Sequence, residues 1–280
     1  MHSLSIDLHT HSTYSDGVLT PAALVRRAAS RGVSLLALTD HDETGGIAEA
    51  AQAAAEVNVL LVPGVEISVV WNGHTLHILG LDIEPHAPEL ADGLASIRDS
   101  RGKRAALIAA QLDAVGVTGS LAGAARHAGN RAAIGRSHFA RFLVEHRHVR
   151  NASDAFRRYL GAGRSGCVPP CWPELAQAID WIHRAGGHAV LAHPDRYRLP
   201  PRTRQSLFEA FRQNDGDAIE ISNDGRFKGS PQIRLAQQFG FALSSGSDSH
   251  APRKNVADVG DVTHIPIGVP ALWQRLRAMG

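Results

Sequence analysis

The chain has 280 residues, of which 44% are hydrophobic, and its formal net charge is +2. This length supports one large α/β domain or two smaller ones, whereas the sequence has no apolar run of about 18 residues for a membrane crossing and no secretion-signal pattern at Met1–Leu4. Cys167 and Cys171 have no second pair that would complete a zinc site, so we expect reduced thiols in a cytoplasmic protein.

Apolar runs of strand length alternate with helical periods along most of the chain. The predicted strands are one that begins at Ile6, then Val33–Thr39, Asn58–Ile67, the two strands of a hairpin over Val69–Asp82 with its turn at Asn72-Gly73, His188–His193, Ala218–Ser222 and Phe241–Ser245. The predicted helices are the segment from Thr20-Pro21 to Gly32, Gly46–Val57, Leu94–Val115, Ser120–Ala128, Ser137–Glu145, Ser153–Leu160, Pro173–Ala185, Arg202–Asn214, Pro231–Phe239 and Val269–Met279. A strand followed by a helix, about seven times, is the pattern of a closed parallel barrel.

The middle of the chain differs in composition and charge. From Arg98 to Arg164 there are thirteen Lys and Arg against four Asp and Glu, a net charge of +9, and the other residues carry −7. We therefore predict a basic helical cap at 86–165, inserted into a barrel formed by 1–85 and 166–280. A basic block within an acidic chain favours an anionic ligand between the two parts, although a solvated helical surface is the alternative.

Polar side chains recur where the predicted strands end. A strand has a side-chain period of two, so Asp7, His9 and His11 share a face, and a loop carrying Asp16 follows. The complete set of strand-end and hairpin residues is His9, His11, Asp16, His41, Glu66, His77, His193, Asp248 and His250. Imidazole and carboxylate ligands suit Zn, Mn or Fe. Nine such ligands favour two or three divalent ions and an anionic substrate such as phosphate, whereas satisfied core histidines are the alternative.

Six motifs along the chain carry a resemblance to a known family. They are His9-Thr-His11 with Ser15-Asp16-Gly17, Thr39-Asp40-His41, Gly64-Val65-Glu66, His77-Ile-Leu-Gly80, Ala192-His193-Pro194 and Ser247-Asp248-Ser249-His250. In this order they resemble the PHP (polymerase and histidinol phosphatase) family, which implies a distorted seven-stranded β/α barrel with a trinuclear metal centre. The resemblance implies that His9, His11, Glu66 and Asp248 hold the first ion. It further implies that Glu66 bridges to a second ion held by His77 and His193, and that Asp16, His41 and His250 hold the third.

The helical insertion resembles one subgroup of that family. Its motifs are Gly135-Arg136-Ser137-His138-Phe-Ala-Arg141 and Ala155-Phe-Arg-Arg-Tyr159-Leu160, and the usual form of the first has proline where Ser137 stands. The subgroup resembles 3′,5′-nucleoside bisphosphate phosphatases, which remove the 3′-phosphate from compounds such as adenosine 3′,5′-bisphosphate. Related members trim short RNA from the 5′ end.

The expected reaction is attack on phosphorus by a hydroxide that bridges the first two ions, because metal binding brings the pKa of water near neutrality. We assign catalytic roles to Asp16, His41, Arg136 and His250. Guanidinium and ammonium groups bind phosphate, so the predicted substrate-binding residues are Lys103, Arg104, Arg136 and His138. Asp40 is expected to orient a metal-binding imidazole, and Mn²⁺ is the favoured ion, with Zn²⁺ or Fe²⁺ as alternatives.

Three other functions compete with the phosphomonoesterase. A 5′-to-3′ exonuclease acting on short RNA would use the same metal centre, although aromatic residues for base stacking are only 5% of the chain. A histidinol-phosphate phosphatase is less favoured, because some of those enzymes have histidine at the position of Asp16. A non-catalytic accessory domain would not need a complete ligand set. We expect a small phosphorylated nucleotide or a short RNA end as partner, with no membrane and no obligate protein partner.

Overall fold

A computed structural model describes residues 5–128, 130–221, 230–252 and 257–277. Its described residues form a seven-stranded sheet in chain order. The strands are β1 (Ile6–Asp7), β2 (Leu35–Leu38), β3 (Leu60–Trp71), β4 (His74–Leu81), β5 (His188–Leu191), β6 (Ala218–Ile221) and β7 (Ala242–Ser245). The predicted hairpin turn at Asn72-Gly73 is confirmed, and both of its residues have positive φ, 46° at Asn72 and 76° at Gly73, as a type I′ turn requires. The predicted strand Asn58–Ile67 and the first strand of the hairpin are one continuous strand, β3, which pairs with β4 from Gly64 onwards.

The hairpin explains how the barrel departs from an all-parallel pattern. β4 runs antiparallel to both β3 and β5, whereas the other neighbouring strands are parallel. The segments that follow β1 and β7 then meet: Thr10 and Ser249 form a parallel bridge, and the Leu8 amide donates to the Ser245 carbonyl at 3.0 Å. The predicted distorted seven-stranded barrel is confirmed, and these contacts bring its first and last strands together.

The helices lie outside this sheet or form the cap. They are α1 (Pro21–Ser30), α2 (Ile47–Val57), α3 (Pro88–Asp113), α4 (Ser120–His127), α5 (Arg136–Glu145), α6 (Ala152–Ala155), α7 (Leu175–Arg184), α8 (Pro201–Gln213) and α9 (Ser230–Phe239). α6 continues into a π-helical turn, Phe156–Leu160. None of the helices in the described part of the chain has the length and apolar character that a membrane crossing needs.

α3 connects two hydrophobic cores. Leu90 and Leu94, near its start, are buried in the core of the barrel side, whereas Ile108 and Leu112 are buried in a separate core formed with the other cap helices. Because one continuous helix contributes to both cores, the barrel and the cap are tied together by its backbone. The exact domain boundaries at 85/86 and 165/166 stay a prediction.

Inside the barrel, a layer of apolar side chains lies below the layer of polar side chains at the mouth. By the period of two, Val62 and Glu66 share one face of β3, and Leu81, Leu79 and His77 share one face of β4. Val62, Leu79 and Leu81 are fully buried in one apolar cluster with residues of the other strands. The same strand faces therefore supply packing below and polar side chains at the mouth, as in other β/α barrels.

The predicted helix Val269–Met279 is wrong. Over the described residues only Leu272–Arg275 are helical, as one 3₁₀ turn, and Met279 lies outside the described residues. The reason is an interaction with β7: the Pro270 carbonyl accepts a hydrogen bond of 2.8 Å from the Leu243 amide. The start of the segment therefore pairs with a strand and does not begin a helix.

Candidate metal centre

His9 and His11 converge as predicted, although β1 ends at Asp7 and both histidines lie in the segment that follows it. Their Nε2 atoms lie 3.1 Å apart, and both histidines are buried. Asp248 reaches the same point from the segment after β7, with its Oδ1 3.3 Å from His9 Nε2 and 3.0 Å from His11 Nε2. With Glu66, these residues form a group whose ligand atoms all lie within 4.8 Å of one another.

Glu66, on β3, joins this group to a second one. Its Oε2 faces His9 Nε2 at 3.3 Å and His11 Nε2 at 3.2 Å. Its Oε1 faces His77 Nδ1 at 2.9 Å and His193 Nε2 at 3.0 Å. One carboxylate thus presents an oxygen to each of two histidine pairs, which is the arrangement that a bridging ligand needs.

A third group surrounds Asp16 on the loop after the first strand. His250 Nε2 lies 3.1 Å and His41 Nε2 3.9 Å from Asp16 Oδ1, and His11 belongs to the same group. His41 also turns its Nδ1 to within 3.0 Å of Glu66 Oε2. The structure therefore brings all nine predicted ligand residues together at one mouth of the barrel.

The donor set fits divalent metal ions better than it fits a hydrogen-bonded network. Among the described residues, several buried ligand atoms make no hydrogen bond of suitable geometry although another atom of the cluster lies within 3.1 Å: Asp16 Oδ1, His41 Nδ1, Glu66 Oε2 and His77 Nδ1. Unpaired buried polar atoms are rare and costly in native proteins. Cations coordinated by these atoms would remove that cost, and nitrogen and oxygen ligands of this kind suit transition-metal ions.

The electrostatics of the cluster keep its carboxylates ionised. Burial opposes the charge of Glu66, but the surrounding histidines, His41 first among them, hold its pKa well below the usual value. In the same way His250 and His41 lower the pKa of Asp16, and His9 and His11 lower that of Asp248. Deprotonated carboxylates are the form that binds metal.

Glu220 is a functional residue that sequence reasoning missed. It lies on β6, is only 2% exposed, and its Oε1 lies 2.9 Å from His9 Nδ1. Its Oε2 accepts the backbone N–H of His193 at 2.7 Å. The carboxylate therefore fixes the His9 ring with Nε2 towards the cluster and holds the backbone of a second ligand. A glutamate within the buried run Ala218–Ile221 was the available signal.

Asp40 does not orient an imidazole as expected. Its oxygens accept hydrogen bonds from the Ser12 amide at 2.7 Å, the Ser12 hydroxyl at 2.6 Å and the Ser15 hydroxyl at 2.5 Å. These bonds hold the loop that leads to Asp16. Asp40 thus positions a ligand through the backbone of its loop.

The cap reaches the cluster through α5. The Ser137 hydroxyl donates to Asp16 Oδ2 at 3.1 Å, and Arg141 donates to the Asp16 carbonyl. His138 is buried, and its Nδ1 accepts the Gly135 amide at 3.0 Å, which caps the helix. Burial lowers the pKa of His138 to about 4, so the ring is neutral at physiological pH.

Two of the predicted phosphate-binding residues, Arg104 and Arg136, are near each other and largely buried. Arg104 Nε donates to the Val168 carbonyl at 2.8 Å, and Arg136 Nη1 donates to the Leu160 carbonyl at 3.3 Å. Burial, with the positive charges of Arg136 and Arg101 nearby, lowers the pKa of Arg104 to about 10. Lys103, in contrast, lies on the exposed side of α3, where its Nζ is 2.7 Å from Asp99.

Arg101 is a second residue that sequence reasoning missed. It is buried, and its guanidinium forms an ion pair with Asp42, next to the metal ligand His41. The Ser68 hydroxyl also accepts from it at 2.9 Å. This buried pair connects the cap helix α3 directly to the loop of a metal ligand.

Comparison with known proteins agrees with this geometry. The chain is 44% identical to the 3′,5′-nucleoside bisphosphate phosphatase of Chromobacterium violaceum over 98% of this chain and 97% of that protein. It is 42% identical to the 5′-3′ exoribonuclease Rnm of Escherichia coli over 98% of this chain and 94% of that protein.

Solved structures share the fold. An amidohydrolase from Chromobacterium violaceum, with bound sulfate and no metal, has a TM-score of 0.91 at 44% identity over 98% of this chain and 96% of that one. A putative metal-dependent phosphoesterase from Bifidobacterium adolescentis has a TM-score of 0.81 at 26% identity over 99% and 97%. The PHP domain family model matches residues 7–159. This chain therefore belongs to the PHP domain family.

Proposed function

We propose that the chain is a metal-dependent phosphomonoesterase that removes the 3′-phosphate from nucleoside 3′,5′-bisphosphates, such as adenosine 3′,5′-bisphosphate, and leaves the nucleoside 5′-monophosphate. The full-length relative named as a 3′,5′-nucleoside bisphosphate phosphatase supports this activity. One structural observation carries the choice of a substrate with two phosphates: two neighbouring arginines of the cap have no carboxylate partner among the described residues and offer a second anion site.

That second site consists of Arg104 and Arg136. Neither guanidinium forms an ion pair with any residue that the structure describes; each donates to a backbone carbonyl and keeps further N–H groups for a ligand. Arg104 is 8% exposed, and burying a cation without an anion is costly. A phosphate group bound there would neutralise both, while the other phosphate of the same nucleotide lies at the metal cluster.

When bound, the metal ions supply Lewis acidity towards water and towards the phosphoryl oxygens. The chain's own residues do the positioning. Glu220 keeps His9 in place, Asp40 holds the loop of Asp16, and Arg196 forms an ion pair with Asp248 that fixes its carboxylate. Arg136 and Arg104 orient the second phosphate by charge-assisted hydrogen bonds. The roles of Asp16, His41, Arg136 and His250 in catalysis are part of the proposal.

The finer description of the centre is also proposed. We expect two or three ions, with three filling all three ligand groups; Glu66 would be shared between the first and second groups, and His193 would complete the second. Mn²⁺ is the proposed ion, with Zn²⁺ and Fe²⁺ as alternatives, since imidazole and carboxylate ligands suit all three. The cytoplasm is the proposed compartment, in keeping with two cysteines that the structure leaves as free thiols.

A substrate panel tests the function. Phosphate release is measured with adenosine 3′,5′-bisphosphate, 3′-AMP, 5′-AMP and histidinol phosphate, and the bisphosphate is expected to have the highest kcat/KM. Arg104→Met should lower kcat/KM for the bisphosphate by about 10- to 100-fold, the worth of a charged hydrogen bond, and leave 3′-AMP nearly unchanged. Equal rates of the wild type on all four compounds, or an equal loss in Arg104→Met on adenosine 3′,5′-bisphosphate and on 3′-AMP, would overturn the assignment.

A 5′-to-3′ exonuclease acting on short RNA is the second candidate. The exoribonuclease relative in Escherichia coli, 42% identical over nearly the full length, favours it. Both activities use the same cluster to attack a phosphate ester. The distinguishing measurement is the release of mononucleotides from a 5′-phosphorylated RNA, compared with phosphate release from the bisphosphate at equal enzyme concentration.

A further inference from the structure

The barrel fixes the backbone of the loop that carries Asp16. Asp40 accepts hydrogen bonds from the amide and the hydroxyl of Ser12, and the Gly17 amide donates to the Ser12 carbonyl at 2.9 Å. The turn is tight, because a Cβ added to Gly17 would lie 2.4 Å from the carbonyl oxygen of His11. These contacts hold the chain on both sides of Asp16, but they do not set the direction of its side chain.

The direction of the Asp16 carboxylate is set by the cap. An aspartate carboxylate rotates broadly about its terminal bond, and in Asp16 the two oxygens have different partners. Oδ1 faces His250 and His41, which with His11 complete the third ligand group, whereas Oδ2 accepts the hydroxyl of Ser137 at 3.1 Å. Because the two oxygens belong to one rigid group, a bond that holds Oδ2 also holds Oδ1 among the histidines.

Ser137 belongs to a helix whose other residues pack within the cap. It lies in the first turn of α5, and Phe139 and Phe142 of the same helix are buried in the cap core. Arg141, four residues further along and therefore on the same side of the helix as Ser137, donates to the carbonyl of Asp16. One side of α5 thus contacts Asp16 through two side chains while the helix is anchored in the cap.

A hydrogen-bond donor at this position is a departure of this chain from the usual motif. The usual form has proline where Ser137 stands, and a proline side chain can donate no hydrogen bond. The other aspartate of the cluster, Asp248, is paired with Arg196, which follows β5 of the barrel. The orientation of Asp16, in contrast, depends on a side chain of the cap.

We propose that Ser137 is a positioning residue for the third ligand group: its hydroxyl orients the Asp16 carboxylate and makes the affinity of this group for a metal ion depend on the contact between cap and barrel. The inference rests on the proposed function, which includes an ion in this group when all three groups are filled. Loss of a group that orients a metal ligand usually weakens binding by about 10- to 100-fold. Because such coupling is reciprocal, the ion should stabilise the contact of α5 with Asp16 by the same factor.

Mn²⁺ titration of chelator-treated protein, followed by calorimetry, tests the proposal without turnover. Ser137→Ala should weaken the binding of one ion by about 10- to 100-fold and leave the other ions bound as in the wild type. Ser137→Thr keeps a hydroxyl and should restore the affinity, and Ser153→Ala, which removes an exposed hydroxyl from α6 of the cap, should have no effect. Equal Mn²⁺ binding by Ser137→Ala and the wild type, or an equal loss in Ser137→Thr and Ser137→Ala, would overturn the proposal.

Hydrogen–deuterium exchange of the α5 amides measures the reciprocal effect. Saturating Mn²⁺ should slow this exchange in the wild type, and in Ser137→Ala the factor by which Mn²⁺ slows it should fall by about 10-fold or more. The same slowing in both proteins would show that the cap contact does not respond to the ion, and it would overturn the proposal. Phosphate release from adenosine 3′,5′-bisphosphate is measured on the same samples. Mn²⁺ binding that depends on Ser137, together with no phosphate release, would count against the proposed function alone.

Discussion

Glu220 contacts two of the predicted metal ligands although it belongs to none of the three ligand groups. Both of its oxygens accept N–H groups, one from the His9 ring and one from the His193 backbone. The backbone of Gly246 also lies against His9, so close that a Cβ added to this glycine would be 2.2 Å from His9 Cβ. The orientation of His9 therefore depends on a buried carboxylate on one side and on the missing side chain of a glycine on the other.

Glu220→Gln should weaken metal binding by about 10- to 100-fold, the usual effect of losing a group that orients a metal-binding histidine. The amide would set its NH₂ against one of the two N–H groups, whereas the glutamate accepts from both. Mn²⁺ titration followed by calorimetry measures the effect. Glu209→Gln, on the exposed side of α8, is the matched control, and equal affinity in the two variants would contradict the role of Glu220.

His138 gives the fold a defined response to acid. Its pKa of about 4 in the folded chain lies below the ordinary value of 6.5. The free energy of unfolding therefore has its full value above about pH 6.5 and decreases as the pH falls towards 4, because the unfolded chain binds a proton at His138 more readily than the folded chain does. Between about pH 7 and pH 5 this amounts to a loss of about 2 kcal/mol in the free energy of unfolding.

Urea unfolding at the two pH values tests this loss. Glutamine at the third helical position can also accept an amide N–H from the capping residue, so His138→Gln should keep the cap and lose about 2 kcal/mol less stability on acidification than the wild type. The exposed His86→Gln variant should behave as the wild type does. If the free energy of unfolding of His138→Gln fell between pH 7 and pH 5 by as much as that of the wild type, His138 would not be the residue responsible.

At the scale of elements, α3 couples the cap to the metal centre. Its buried stripe runs through Leu90, Leu94, Ile97, Arg101 and Arg104, at steps of three or four residues. Two arginines therefore occupy positions that are normally apolar. The first forms the ion pair with Asp42, and the second reaches the proposed phosphate site.

Arg101→Met should lower the free energy of unfolding by about 3 kcal/mol, because it leaves the carboxylate of Asp42 buried without its charged partner. Lys103→Met changes the same helix on its exposed side and should leave the stability unchanged. Chemical denaturation of both variants measures the difference. Equal stability of the two would mean that the buried ion pair does not hold the cap to the barrel.

Local sequence patterns predict some of the site residues and not others. His9 and His11 follow from the period of a strand, and Asp248 and His250 from their identical spacing. Lys103 and Arg104 are adjacent in sequence, but the packing of α3 turns Arg104 inward and Lys103 outward. The helix itself begins at Pro88 and not at Leu94 as predicted. Glu220 comes to His9 across 211 positions of sequence, and no local pattern encodes that contact.

At the scale of the whole molecule, the barrel and the cap divide the charge. The barrel mouth gathers carboxylates and histidines that suit cations, and the cap supplies the guanidiniums of the proposed phosphate site. The strand–helix rhythm predicts the barrel, but the antiparallel place of β4 and the pairing of Pro270 with β7 depend on contacts between distant segments. Such pairings are set by the tertiary structure and not by local propensity.

The most direct test is to measure metal content and phosphate release on the same sample. Purified protein is treated with a chelator, and Mn²⁺ is returned in steps, with adenosine 3′,5′-bisphosphate as substrate. Phosphate release should disappear with the metal and return in proportion to it, up to two or three ions per chain, and His9→Ala should hold fewer than one ion and release no phosphate. A wild-type protein that binds no metal, or one that releases phosphate at an unchanged rate without metal, would contradict the assignment of the cluster as the catalytic centre.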